Sequence, residues 1–505
     1  MRAAFRLGGL FLGILTLVLA IAPAASAGTP GVEHLKYRAG PFHITPGQNR
    51  IAFAPLLEKP PVDGYITRIK PNLRRPDGSI PRVDVLHLHH AVWFSFRWGI
   101  FFASGEEKTT LRLPPGYGLP YKASDVWILN HMIHNLLRKP DDVYITYDID
   151  FVPASSPLAK RIRPVRPIWT DVESGHLYPV FDVPIRAGKG GRYTFPSDAR
   201  HPYPGRPRNE TSIRRDGVLV ATAGHVHPGG LHTDLWLQRA GARVRKAHCS
   251  RLRTRRARRR CRRRAPRGHG DTAHLFRSSA HYYEPAGPVS WDVSMTATRP
   301  SWRVAVKRGD VLKITATYQT RRGAWYESMG IMLVYMADAG RAPNPFDTRV
   351  DYPGRVTHGH LHENDNHGGK RSRLPDPRRL RSGVVDPSVI SISRFRYTFG
   401  DLRLAGLRGR PPLVRRGHTL LFVNGDNAKG IYHSISACRA PCNRSTGIAY
   451  PLENGRVSFD SGQLGDRLPA VGRREWRTPP RLPPGTYTYF CRIHPFMRGA
   501  FRVAR

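Results

Sequence analysis

The segment PPGTYTYFCRIHPFMRGAF, residues 483–501, decides the fold of the end of the chain and introduces its chemistry. A Pro-Pro-Gly turn precedes alternating threonine and aromatic residues, a pattern typical of a β-strand. The strand ends at Cys491, and the following loop contributes an imidazole, His494, and a thioether, Met497. These three groups predict a metal site at the end of a strand. The alternative is a buried free cysteine beside a hydrogen-bonded histidine.

Short apolar runs bounded by turn residues recur along the 505-residue chain, which contains 48 glycines and 45 prolines. Such runs predict many short strands, and almost no long segment has helical periodicity. We therefore predict an all-β protein of three units. The units span residues 28–190, 191–340 and 396–505, and a polar linker rich in histidine, proline and glycine joins the last two at 341–395.

The first 27 residues have the pattern of a secretory signal. Arg2 and Arg6 precede the apolar stretch LGGLFLGILTLVLAIA, and Ala25-Ser26-Ala27 is typical of a cleavage site. We predict cleavage after Ala27 and a secreted or extracytoplasmic protein, with association with the cell surface left open. An uncleaved membrane anchor is the alternative interpretation.

Export places the five cysteines in an oxidising compartment. Cys249 and Cys261 are close enough in sequence to form one disulfide, and Cys438 and Cys442 a second. Cys491 is then left without a partner, and a metal-bound thiolate would explain it.

The formal net charge is +44, and the segment RLRTRRARRRCRRR, residues 251–264, contains ten arginines in fourteen residues. We interpret this run as part of a solvated, disordered loop, residues 239–268, inserted in the second unit and held by Cys249–Cys261. The alternative is electrostatic contact with an anionic surface. No nucleic-acid reading motif accompanies the charge, so we predict no specific nucleic-acid partner.

A fourth ligand for the C-terminal metal site is available from GIYHSIS, which contains His433. Two imidazoles, one thiolate and an axial thioether form the ligand set of a type 1 copper. The last 110 residues or so thus resemble the blue-copper (cupredoxin) family, with the Cys-x-x-His-x-x-Met spacing of its amicyanin type. The resemblance implies a Greek-key sandwich whose copper is bound by His433, Cys491, His494 and Met497 and transfers single electrons.

Histidine motifs in the first two units occur in a recognisable order: VLHLHHAVWFS, LNHMIHNL and TAGHVHPGG, followed by the methionine-rich SMGIMLVYM. In this order, residues 60–340 resemble the copper type II, ascorbate-dependent monooxygenases, the family of the peptidylglycine and dopamine hydroxylating enzymes. The resemblance implies two jelly-roll sandwiches with one copper in each. An electron-storing copper would be bound by His89, His90 and His134, with His131 as the alternative to His134. A dioxygen-binding copper would be bound by His225, His227 and Met329.

The polar residues that bind the substrate carboxylate in the peptide-amidating members are absent. Ala223 occupies the position of their arginine, and Ile331 and Leu333 occupy those of an asparagine and a tyrosine. Because an unpaired buried carboxylate is costly, a less polar substrate is expected.

These features predict an exported protein with one type 1 copper and up to two further coppers. The C-terminal copper is expected to pass electrons from an external donor to a core that hydroxylates an unknown small substrate with dioxygen. A non-catalytic copper carrier or storage protein of the cell exterior is the alternative, and a binding module for anionic surfaces is a third interpretation.

Overall fold

The structure is a computed structural model that describes residues 30–176, 178–203, 205–283, 287–338, 340–360, 373–440, 457–467 and 472–505. The predicted signal segment, 1–27, lies outside these ranges. The described chain folds into strands with three short 3₁₀ turns and two helices, so the predicted all-β fold is confirmed. In these ranges, no helix has the length and apolar character needed to cross a membrane.

The first unit consists of two facing sheets. Its strands are β1 Glu33–Ile44, β2 Ile51–Pro55, β3 Gly64–Arg74, β4 Leu86–Ser95, β5 Gly99–Ser104, β6 Leu111–Arg112, β7 Tyr117–Tyr121, β8 Trp127–Asn135 and β9 Asp141–Pro153. One sheet is built on the antiparallel pairs of β9 with β1 and β3, and the other has the order β2-β8-β4-β5. Buried residues at alternate positions of β3 and β9 face the core between the sheets.

The second unit is also built from two main sheets, and β10 connects it to the first. Its strands are β10 Arg163–Asp171, β11 Phe181–Val183, β12 Arg192–Phe195, β13 Glu210–Ser212, β14 Gly217–His225, β15 Gly230–Gln238, β16 Gly268–His269, β17 Thr272–Tyr282, β18 Val293–Ala297, β19 Val304–Val306, β20 Val311–Gln319, β21 Trp325–Ser328, β22 Ile331–Ala337 and β23 Arg355–Val356. One sheet contains β10, β22 and β14, and the other contains β20, β15 and β17.

The third unit is a smaller pair of sheets, ordered β25-β24-β27-β30 and β26-β32-β31-β28-β29. Its strands are β24 Val389–Ser393, β25 Arg396–Tyr397, β26 Leu413–Val414, β27 Leu421–Asn424, β28 His433–Arg439, β29 Phe459–Leu464, β30 Glu475–Arg477, β31 Gly485–Phe490 and β32 Arg498–Val503. Because β24 pairs with β27, this unit starts before residue 396, inside the segment predicted as a linker. The other predicted unit boundaries stay predictions.

The buried apolar residues form three clusters, and the first includes Val220 and Tyr335 of the second unit. Phe151 and Trp93 lie in the first, Leu235 and Ile314 in the second, and Tyr489 in the third. The third cluster also includes Met132, Tyr178 and Met329 from the other units, so the three units are packed against one another.

The arginine-rich segment is helical, so the expectation of a disordered loop was wrong. Residues Arg255–Arg264 form helix α1, and the Thr254 hydroxyl caps it by accepting a hydrogen bond from the Ala257 amide at 3.1 Å. Arginine has a high helix propensity, and the confirmed Cys249–Cys261 disulfide ties α1 to the preceding turn. The second helix, α2, is the single turn Gly406–Gly409.

The structure describes one of the two cysteines of the second predicted disulfide. Cys438, on β28, is disulfide-bonded, whereas its predicted partner Cys442 lies outside the described residues. Among the described cysteines, Cys491 is the free one, and it is buried.

Candidate metal centres

The four residues predicted to bind type 1 copper, His433, Cys491, His494 and Met497, form what we call the C-terminal centre. Strand β31 ends one residue before Cys491, and β32 starts one residue after Met497, so a single tight loop carries three of the four. His433 is the first residue of β28, which pairs with β31. All four side chains have 0% exposure.

The donor atoms of the C-terminal centre converge. The Cys491 Sγ lies 3.8 Å from Nδ1 of His433 and 3.8 Å from Nδ1 of His494, and the two Nδ1 atoms are 3.3 Å apart. The loop is fixed by the Met497 amide, which donates to the His494 carbonyl at 2.9 Å. Three donors that face one another in a dry interior are arranged as a trigonal metal site requires.

The surroundings of Cys491 favour the thiolate. The backbone amides of Ser434 and His494 each donate to its sulfur at 3.3 Å. Burial alone would raise the pKa of the thiol, but hydrogen bonds and charge from His433 and His494 lower it well below its ordinary value. Since the thiolate is the form that binds metals, the side chain is prepared for a ligand's role.

Asp426 orients the upstream ligand. Its Oδ2 lies 3.1 Å from Nε2 of His433, and its carboxylate also accepts from the amides of Arg394 at 2.6 Å and Phe395 at 3.0 Å. A carboxylate on the far nitrogen leaves Nδ1 of His433 directed at the sulfur, as is usual for metal-binding histidines. The soft Cys491 sulfur and the two imidazoles fit copper.

A second group of histidines surrounds a cavity between the units, with a volume of about 60 Å³. We call it the histidine cavity, and its lining includes His87, His89, His134, His227, Trp291 and Glu327. His87 and His89 lie on β4, where a register shift against β8 between Leu88 and His90 produces a bulge.

The rings of the histidine cavity are closely packed. The His89 ring centroid is 4.1 Å from that of His227 and 4.5 Å from that of His134, and Trp291 stacks on His87 at 4.4 Å. Single ligand atoms of His89, His134 and Glu327 all lie within 4.8 Å of one another. Burial lowers the pKa values of His89, His134 and His227 well below the ordinary value, so these rings are neutral and able to bind a metal.

A third site is a mostly apolar cavity, with a volume of about 70 Å³, next to His90 and His225. The His225 Nδ1 lies 3.0 Å from Oε2 of Glu107, and the His90 Nε2 lies 2.8 Å from Oδ1 of Asn130. Ala223, Ile331 and Leu333 line this cavity. We call it the apolar cavity.

The structure brings the predicted core ligands together in a different grouping from the one expected. His89 and His134 share the histidine cavity with His227, whereas His90 and His225 line the apolar cavity. Met329 packs in the third apolar cluster with Met132 and Tyr178, and its amide donates to the Tyr318 hydroxyl at 3.0 Å.

His131 and His134, the two alternatives for the third ligand, lie in different surroundings. His131 packs against the Phe42 ring at 4.1 Å, while His134 faces His87 and His89. The geometry therefore favours His134.

Three residues of the histidine cavity were missed by the sequence analysis: His87, Trp291 and Glu327. The His87-x-His89 spacing, which places two side chains on one face of a strand, was available as a signal for His87. Nothing local marks Glu327 or Trp291, because they reach the cavity only through packing of the units.

The loop of the C-terminal centre adjoins the histidine cavity. Arg492 and Ile493, which lie between the ligands Cys491 and His494, line that cavity together with Asn49. The Arg492 guanidinium lies over the Trp325 ring at 4.9 Å and pairs with Asp460 at 3.0 Å. The two candidate centres therefore share a wall.

No family model and no curated protein matches the chain. Among solved structures it is similar to a reduced amicyanin mutant, at 16% identity over 26% of this chain and 99% of that chain, with a TM-score of 0.13. A Cu-containing nitrite reductase from Thermus scotoductus matches at 14% identity over 58% of this chain and 59% of that chain, with a TM-score of 0.15. PNGase F, a glycosylasparaginase from Flavobacterium meningosepticum, matches at 8% identity over 61% and 98% of the two chains, with a TM-score of 0.26.

Proposed function

We propose that this protein is an exported multi-copper oxidoreductase whose C-terminal centre transfers single electrons to a histidine-lined core that oxidises a small substrate with dioxygen. The observation that carries the proposal is the convergence of the Cys491 sulfur and the Nδ1 atoms of His433 and His494 in a fully buried site. Copper bound there supplies a one-electron couple between Cu(I) and Cu(II).

The residues of the C-terminal centre suit electron transfer better than reaction with a substrate. The centre is buried on all sides, and hydrogen bonds from Ser434 and His494 hold the sulfur in place. A rigid, dry site keeps rearrangement between the two redox states small. The shared wall at Arg492 and Ile493 supports a core partner for the electron.

The apolar cavity supports the substrate part of the proposal. The small and apolar side chains Ala223, Ile331 and Leu333 line one part of this cavity, and the charged side chains Glu107, Arg112 and Arg355 line another part. A small molecule with an apolar face fits the side of the cavity formed by Ala223, Ile331 and Leu333. The monooxygenase type of reaction, the external donor and the export of the chain are parts of the same proposal.

The test uses the full chain loaded with cupric ion. We expect intense visible absorption from a thiolate–copper bond and a type 1 electron paramagnetic resonance spectrum. The Cys491→Ser variant should lose both signals, and His418→Ala, a change of an exposed histidine in the same unit, should keep them. A colourless copper-loaded wild-type protein would refute the proposal.

Dioxygen consumption separates the oxidoreductase from a copper carrier. The proposal requires the reduced, copper-loaded chain to consume dioxygen and to retain its copper against a chelator. A storage or carrier protein would release the copper readily and consume none.

A further inference from the structure

The predicted two core coppers take their ligands from separate units, but the structure places ligands of both in one cavity. The His89 and His227 rings, expected at different coppers, have centroids 4.1 Å apart. Rings this close can both be ligands of a single ion, an arrangement that two well-separated coppers would not require. One shared centre explains the packing better.

Two buried nitrogen atoms of the histidine cavity lack hydrogen-bond partners among the described residues: Nε2 of His134 and Nε2 of His227. Their other ring nitrogens are used. Nδ1 of His134 lies 3.1 Å from Nε2 of His87, and Nδ1 of His227 bonds the Glu327 carbonyl. Because buried polar atoms are normally paired, two ring nitrogens without partners on residues that line one cavity indicate a missing ligand. The bonds on Nδ1 are of the kind that orients a metal-binding imidazole.

Glu327 adds carboxyl oxygen atoms from the second unit. Its backbone has φ +48, in the left-handed region that a non-glycine residue rarely adopts. Its carboxylate is buried, with Oε2 3.9 Å from Nε2 of His89 and Oε1 3.3 Å from Nε2 of Gln463. Strained backbone of this kind is found where a side chain is held for a specific contact.

We propose that His89, His134, His227 and Glu327 together bind one copper ion at the junction of the three units. His87 orients His134, and Trp291 closes the cavity over the imidazoles. The mixed imidazole and carboxylate set suits a divalent copper. The inference deepens the proposed function, because it names the core site that adjoins the C-terminal centre.

The main experiment counts copper in the full chain after loading with cupric ion. We expect two ions per wild-type chain, one with the type 1 spectrum and one without. The Cys491→Ser variant should keep one ion, which reports the core site even if the proposed C-terminal copper is absent. The Glu327→Gln variant should bind the core copper about 10- to 100-fold more weakly while the visible absorption stays.

Matched variants make the outcome decisive. Glu210→Gln, the same change at a carboxylate paired with Lys313 on the surface, should not alter the count or the spectra. His227→Ala should remove the core copper, and the retained visible absorption shows that the variant is folded. Three copper ions per chain would refute the shared centre. It would also be refuted if both Glu327→Gln and His227→Ala bound the core copper with wild-type affinity. A chain without visible absorption that keeps its core copper would refute only the C-terminal copper.

Discussion

Arg492 connects two units from inside the loop of the C-terminal centre. Its side chain is buried, pairs with the fully buried Asp460 at 3.0 Å and donates to the Ser436 hydroxyl at 3.1 Å. The same guanidinium stacks on Trp325 of β21, the strand that carries Glu327. One residue thus fixes the loop of one candidate centre against the strand of the other.

Replacing Arg492 by methionine should destabilise the protein. The change keeps much of the apolar stem but leaves the Asp460 carboxylate buried without its cation, a loss of about 3–5 kcal/mol. Denaturant unfolding measures the effect. Arg415→Met, which breaks an exposed pair with Asp386, should cost about 0–1 kcal/mol. Equal small losses in the two variants would contradict the role of Arg492.

At the residue scale, sequence spacing predicted the C-terminal centre well and the core poorly. Cys491, His494 and Met497 lie on one loop, so their proximity follows from local chain geometry. Glu327 and His89 are far apart in sequence and meet only where β21 packs near the bulge of β4. Local sequence spacing therefore could not predict the contact between Glu327 and His89.

Among the elements, β17 carries a buried ionic cluster that is separate from both centres. His274 bonds Asp234 through Nε2 at 2.8 Å and Asp351 through Nδ1 at 3.0 Å. Burial alone would lower the pKa of His274, but the two carboxylates raise it above the ordinary 6.5. Burial alone would raise the pKa of Asp234, but hydrogen bonds from His232, His274 and Arg277 lower it below the ordinary 3.8.

These shifts predict that the contribution of this cluster to stability is largest at mildly acidic pH. The contribution of His274 is fully present below pH 6.5 and is lost as the pH rises through its higher folded pKa. The contribution of Asp234 is present above pH 3.8 and is lost as the pH falls through its lower folded pKa. The cluster's share is measured as the difference in thermal unfolding between the wild type and a cluster variant across this range.

His274→Gln is expected to remove the alkaline loss and to lower stability at mildly acidic pH. His281→Gln, at an exposed histidine on the same strand, provides the control and should leave the profile unchanged. An alkaline loss of the same size in His274→Gln would show that the cluster is not its source.

Helix α1 shows where pattern reading at the element scale fails. Its arginines give no apolar periodicity, so the segment was expected to be disordered. In the structure, the Thr254 cap and the Cys249–Cys261 disulfide both stabilise this helix. Amino-acid composition alone does not indicate either of these two interactions. The strands were easier, because alternation of buried and exposed positions follows directly from the two-residue period of a sheet.

Over the whole molecule, the loop after β1 covers the C-terminal centre. A Cβ at Gly47 would lie 2.5 Å from the Phe395 ring and 3.2 Å from Nε2 of His494, and φ at Gly47 is +67. The edge of the His494 imidazole is therefore closed by the first unit. The three units, which were predicted separately, pack against one another. The contact of Gly47 with the C-terminal centre could not be predicted from sequence motifs.

Gly47→Ala should disturb the C-terminal centre from the neighbouring unit. The new methyl group must displace Phe395 or His494, so we expect a shifted visible spectrum and a changed reduction potential in the copper-loaded chain. Gly78→Ala is the matched control, since φ is +83 there and no atom lies within 4 Å of the new methyl group. Both variants should lose about 1 kcal/mol from the backbone, but only the first should change the spectrum. Identical spectra would argue against the close contact.

Strand β10 pairs with β22 from Val165 to Asp171, and its first residues, Arg163 and Pro164, pair with β7 of the preceding unit. The hydrogen-bonded ladder passes from one sandwich to the next without an intervening flexible segment. A hinge motion that separates the two sandwiches would break backbone hydrogen bonds and is therefore disfavoured. Small molecules that reach the buried histidines must therefore enter when side chains rearrange. Because the two sandwiches do not move apart, the gaps between side chains limit the size of these molecules.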